Sequence, residues 1–152
     1  MKYQVVELKE KKVVGITART SNQDQNMGAI IGGLWQQFYE QGIYQAIPSK
    51  VNACSIGMYS NYQDREKDAY DVTVCCEVST LEQLPAGVVG KTVEAGKYAK
   101  FVVKGNTHEV IADFWTKLWA MDLDRKYSCD FEEYQPGGDM ENAEIHIYLA
   151  LN

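Results

Sequence analysis

From Met27 onward, Met27, Ile30, Ile31, Leu34, Trp35 and Phe38 recur at three- and four-residue steps. That spacing predicts a helix with one apolar stripe, stopped near Gly42. Before it, Lys12 to Thr20 is rich in β-branched residues and runs into the polar breaker Ser21 to Gln25, the pattern of a strand. After it, a second strand is expected over Ala53 to Ser60, weakened by Gly57, then a polar turn from Asn61 to Lys67. A third strand spans Tyr70 to Val78, where Val72, Val74, Cys76 and Val78 alternate with Asp71, Thr73, Cys75 and Glu77. The unit reads β-α-β-β.

Leu81 to Gly90, with Pro85 and two glycines, reads as a linker, and the pattern then restarts. Gly96 to Gly105 is the strand, Asn106 or Thr107 the N-cap, and Ile111, Phe114, Trp115, Leu118 and Trp119 the apolar stripe of a second helix. Strands are expected over Ser128 to Tyr134 and Ala143 to Leu151, with a turn over Gln135 to Asp139 between them. In the last strand Ile145, Ile147 and Leu149 face away from Glu144, His146 and Tyr148. The helices align with Trp35 on Trp115 and Ile43 on Leu123, an offset of 80, and the final strands align Asp71 on Glu144. A duplicated unit of this size buries its apolar face against its twin, and the seam is the natural place for a ligand. One domain over 1–152 is expected, with repeats of about 1–80 and 91–152.

A length of 152 residues suffices for a core without disulfide or metal support. The net charge of −6 argues against a phosphate-gripping surface, so no direct nucleic-acid partner is expected. No apolar run approaches a membrane span and the N-terminus has no long apolar signal core, so the expectation is a cytoplasmic protein without a membrane partner. Cys54, Cys75, Cys76 and Cys129 lack metal-ligand spacing, and no nucleotide or zinc motif occurs; no cofactor and no metal are expected.

Two signals carry chemistry. Glu144 lies within a strongly apolar terminal strand, where partial desolvation would strengthen its attraction for a cation or raise its pKa for proton transfer. Three tryptophans, ten tyrosines and four phenylalanines include Trp35, Phe38, Tyr39, Phe114, Trp115 and Trp119 on the two helices. Aromatic walls beside one acid bind flat organic cations through stacking and the ring quadrupole. His146 shares a strand face with Glu144 and joins the candidate walls.

The order of Leu34-Trp35-Gln36-Gln37-Phe38, the Tyr70-Asp71 strand start, Phe131-Glu132-Glu133-Tyr134 and Ala143-Glu144-Ile145-His146-Ile147-Tyr148 resembles the GyrI-like effector-binding domain. In that family the unit is the ligand sensor of many AraC- and MerR-type regulators, and it also occurs alone. The resemblance implies an α+β fold: a pseudo-twofold antiparallel sheet, two helices and a junction pocket with an acidic residue from the last strand, matched by Glu144. The sequence has no helix-turn-helix, so the stand-alone form is expected, and Tyr148 stands where many relatives have proline.

The leading expectation is a small-molecule binder for an amphipathic, cationic organic compound. Glu144 would supply the charge, with Trp35, Phe38, Tyr39, Trp115, Tyr134, His146 and Tyr148 as candidate walls. Two alternatives remain open. One is a hydrolase of strained or electrophilic rings, similar to the cyclopropane-opening relatives, with Glu144 as general base and Trp35 or a nearby aromatic as its partner. The other is a protein-interaction module of the gyrase-inhibitor type.

Overall fold

A computed structural model describes all residues from 1 to 152. The elements are β1 (Gln4–Leu8), β2 (Lys11–Thr20), α1 (Met27–Glu40), α2 (Ile43–Ala46), β3 (Ser55–Ser60), β4 (Tyr70–Val78), β5 (Val89–Val93), β6 (Gly96–Gly105), α3 (Thr107–Trp119), β7 (Arg125–Tyr134) and β8 (Ala143–Leu151). Asn106 caps α3 by accepting from the Glu109 amide at 3.1 Å, and Gly42, at φ 72°, turns the chain out of α1 in a conformation that favours glycine.

The eight strands form one antiparallel sheet in the order β1-β6-β8-β7-β3-β4-β2-β5. Each half therefore carries one strand more than the β-α-β-β pattern predicts. The extra strands, β1 and β5, are short, mostly exposed edges, so neither carries an apolar periodicity. They also change hands: β1 pairs with β6 of the second half, and β5 with β2 of the first. β5 begins at Val89, inside the stretch expected to be linker.

This exchange rolls the sheet. β1 and β2 stand six places apart in the strand order, about 29 Å in a flat sheet. Leu8 and Lys11 are nevertheless joined by two residues, which span at most about 11 Å. Side chains from seven strands, among them Val13, Met58, Cys75, Tyr98, Phe131 and Tyr148, form one buried cluster inside the roll, with Val6 and Leu8 of β1 against it. Outside the roll, α1 covers a second cluster through Leu34 and Phe38, and α3 covers a third through Phe114 and Leu118. Each such side chain contributes about 1.5–3 kcal/mol by burial. Cys75 and Cys76 fall in different clusters, on opposite faces of β4.

The halves are equivalent with a stepped offset. It is 85 at the first strands (Lys11 to Gly96), 80 at the helices (Trp35 to Trp115) and 73 at the last strands (Tyr70 to Ala143). The connections account for the steps: six residues lead from β2 into α1 where Asn106 alone leads from β6 into α3, and α2 has no counterpart in the second half.

Candidate functional site

Cross-strand registers locate the symmetry axis. Gly57 of β3 stands opposite Val74, and Glu132 of β7 stands opposite Ile147; Val74 and Ile147 are themselves equivalent. Gly57 and Glu132 are thus twofold mates, and they face one another across the β3–β7 pairing. The pseudo-twofold axis passes between them. By the same offset Tyr59 and Tyr134 are mates.

Over this axis, between α1 and α3, lies a cavity of about 1070 Å³. Its walls come in pairs: Ile31 and Ile111, Trp35 and Trp115, Tyr39 and Trp119, Tyr59 and Tyr134. Trp35 meets Tyr134 edge-on at 5.0 Å between centroids, and Trp115 meets Tyr59 edge-on at 5.7 Å. Tyr39 stacks on Trp35 and Trp119 lies against Trp115, and both outer rings are half exposed at the mouth.

On the floor sits Glu132, 2 % exposed. Trp115 Nε1 donates to its Oε2 at 2.8 Å, Tyr59 Oη donates to the same atom at 3.1 Å, and Tyr134 Oη donates to Oε1 at 2.8 Å. No basic side chain pairs with it. Burial pushes the Glu132 pKa up, against the three hydrogen bonds that favour its charged form. Burial and the Glu132 charge together push the Tyr59 and Tyr134 phenols well above their ordinary range, which keeps them as donors. Of about four lone-pair sites on a carboxylate, three are filled, leaving one on Oε1. Gly57 leaves room there: a Cβ on it would lie 3.4 Å from Oε1 and 3.3 Å from Trp35 Cζ2.

The polar groups at the two ends of the cavity differ. At one end Arg125, 7 % exposed, pairs with the fully buried Asp130 at 2.6 Å; Asp130 also accepts from Tyr62 Oη at 2.6 Å and the Ala150 amide at 3.1 Å. At the other, Tyr39 Oη and Ser55 Oγ share a hydrogen bond.

Glu144, expected as the central acid, stands elsewhere. Its side chain is 43 % exposed, paired with Lys104 at 3.5 Å and His146 at 2.7 Å, and the His146 hydrogen bond holds its pKa below the ordinary value. Symmetry explains the placement. Glu144 is the mate of Asp71, and the Lys104–Glu144 pair repeats the Arg19–Asp71 pair of the first half. Both are cross-strand pairs near the ends of their strands, and Glu144 contributes only to the cavity edge. Trp35, Tyr39, Trp115 and Tyr134 do line the cavity. Phe38 does not, being core beneath α1, nor does Tyr148, which stacks on Phe131 inside the roll at 4.7 Å. His146 stays with Glu144, outside the cavity lining. The cavity also holds Glu132 and Tyr59, which the sequence reading did not single out. For Glu132 the signal was the alternation in β7, which puts it on the face of Tyr134.

The sequence profile of Cass2, described as integron-associated effector binding protein, matches residues 4–151. The chain belongs to this family. It is similar to the integron cassette protein Cass2 from the mobile metagenome of Vibrio cholerae, with 30 % identity over 97 % of this chain and 95 % of that one, at a TM-score of 0.76. SAV2435, solved bound to tetraphenylphosphonium, superposes with a TM-score of 0.81 at 19 % identity, covering 100 % of this chain and 94 % of that one. The C-terminal domain of EcmrR superposes at 0.59 with 16 % identity, covering 100 % and 99 %. The last two show the shared GyrI-like fold. Among curated protein sequences none matches the chain. As a Cass2 family member with a large aromatic cavity, the chain is a small-molecule-binding protein. No helix is long and apolar enough to cross a membrane.

Proposed function

We propose that the chain binds lipophilic organic cations, with Glu132 as the charge that selects them. The observation that carries this reading is a fully buried carboxylate with neutral donors and no basic partner, at the floor of a cavity walled by tryptophan and tyrosine. Removing such an ion from water costs several kcal/mol, and three neutral donors offset only part of it. A bound cation supplies the missing counter-charge, and the rings around it add quadrupole attraction. The tetraphenylphosphonium in SAV2435, which shares the fold, supports this ligand class.

Titration of wild type and Glu132→Gln with tetraphenylphosphonium and with uncharged triphenylphosphine oxide tests the reading. Wild type should prefer the cation, and the substitution should abolish that preference while leaving the neutral compound's affinity little changed. Equal loss of both ligands, or of neither, would refute it.

A further inference from the structure

We infer that the cavity is built for a two-armed cation, one whose charge lies at the centre of the molecule with an aromatic arm on either side. The inference rests on the charged-site reading above and adds a shape to it. The sole buried acid of the floor stands on the pseudo-twofold axis, because Glu132 faces its own symmetry mate and that mate is Gly57. From this point the cavity extends both ways between matched aromatic pairs, although the polar groups at its two ends differ. One arm would lie against Trp35 and Tyr134, the other against Trp115 and Tyr59. A ligand with its charge at one end can neutralise Glu132 while filling only one half, leaving the other aromatic pair unused. It also has two ways of doing so, one in each half, each against a tryptophan–tyrosine pair.

That choice of halves gives the test. Dibenzyldimethylammonium and (biphenyl-4-ylmethyl)trimethylammonium are constitutional isomers with the same charge and the same carbon count. The first carries its nitrogen between two arms and the second carries it at one end. Gly32 and Ala112 are exposed symmetry mates that line the two halves, and a Cβ on Gly32 meets nothing within 4 Å. Gly32→Phe and Ala112→Phe therefore obstruct one half each without disturbing the core, and Gly32→Leu and Ala112→Leu are milder versions should either melt early.

By calorimetric titration, wild type should bind the dibenzyl cation at least tenfold more tightly than its isomer. Either single block should weaken the dibenzyl cation at least tenfold. The biphenyl isomer, free to move to the open half, should lose less with either block than the dibenzyl cation does, and at least tenfold with both. Equal responses of the two isomers, or sensitivity to one block alone, would overturn the two-armed site. Glu132→Gln separates the two levels. If it weakens both isomers while the blocks fail to discriminate, the shape inference alone falls; if it weakens neither, or if wild type binds neither, both readings fall.

Discussion

Glu132→Gln should move binding and stability in opposite directions, which no merely structural glutamate would do. A quaternary centre about 5 Å from the carboxylate, at an effective dielectric near 20, gains about 3 kcal/mol of Coulomb energy, so losing the charge weakens binding on the order of 10²-fold. The empty protein behaves differently. The Trp115 and Tyr59 hydrogen bonds become neutral ones to the amide oxygen and the third reverses, the amide nitrogen donating to Tyr134 Oη, a loss of about 1 kcal/mol each, while a desolvation cost of several kcal/mol disappears. Because the Glu132 pKa is raised by burial, desolvation outweighs the hydrogen bonds. The variant should therefore be more stable by about 1 kcal/mol, a rise of roughly 2–4 °C in melting temperature for a chain of this size.

The pH dependence follows with a definite sign. A carboxyl with a raised folded-state pKa holds its proton more tightly folded than unfolded, so its stabilising contribution is complete below the ordinary carboxylate range and is lost as pH rises toward the Glu132 pKa. Thermal melts of the two proteins should converge in acid and separate above about pH 4.3, the unperturbed glutamate value. A variant that melts lower than wild type near neutrality, or a difference that is flat with pH, would refute this account.

Other substitutions separate the site from its supports. Asp130→Ala leaves Arg125 buried without its partner and removes the acceptor of Tyr62 and the Ala150 amide, so urea unfolding should show a loss of about 3–5 kcal/mol. Gly15→Ala drives a Cβ into the Val74 carbonyl oxygen of the neighbouring strand, and should cost about 3 kcal/mol or more, read by circular dichroism melts. Glu144→Gln breaks only a half-exposed pair, and tetraphenylphosphonium affinity should change less than twofold. Asn106→Ala removes the α3 cap and should destabilise by about 1 kcal/mol in the same melts.

The two long helices, all six inner strands and the duplication were legible because they rest on short-range periodicity and on tryptophans that recur in step. β1 and β5 were not, because a five-residue edge strand buries too little to leave a pattern, and its pairing partner lies in the other half of the chain. That the buried acid of the cavity is Glu132, where the sequence pointed to Glu144, has a related cause. Glu144 and Glu132 each stand beside an apolar residue of their strand, and nothing local distinguishes a carboxylate at the start of a strand from one at the sheet centre.

What distinguishes them is register between distant strands. The decisive signal was Gly57, which in the sequence only weakened a predicted strand. In the fold it faces Glu132 across the axis, and its missing side chain leaves open space beside the Glu132 carboxylate. Two glutamates facing each other across the axis would repel and raise one another's pKa, and two glycines would leave an uncharged floor. A duplicated fold obtains a single central charge only by breaking its symmetry at this one pair, and Gly57→Ala tests that directly. The added methyl, 3.3 Å from Trp35 and 3.4 Å from Oε1, should lower cation affinity while leaving the melting temperature within a few degrees. Unchanged affinity would mean that the ligand does not approach Glu132 from the axis.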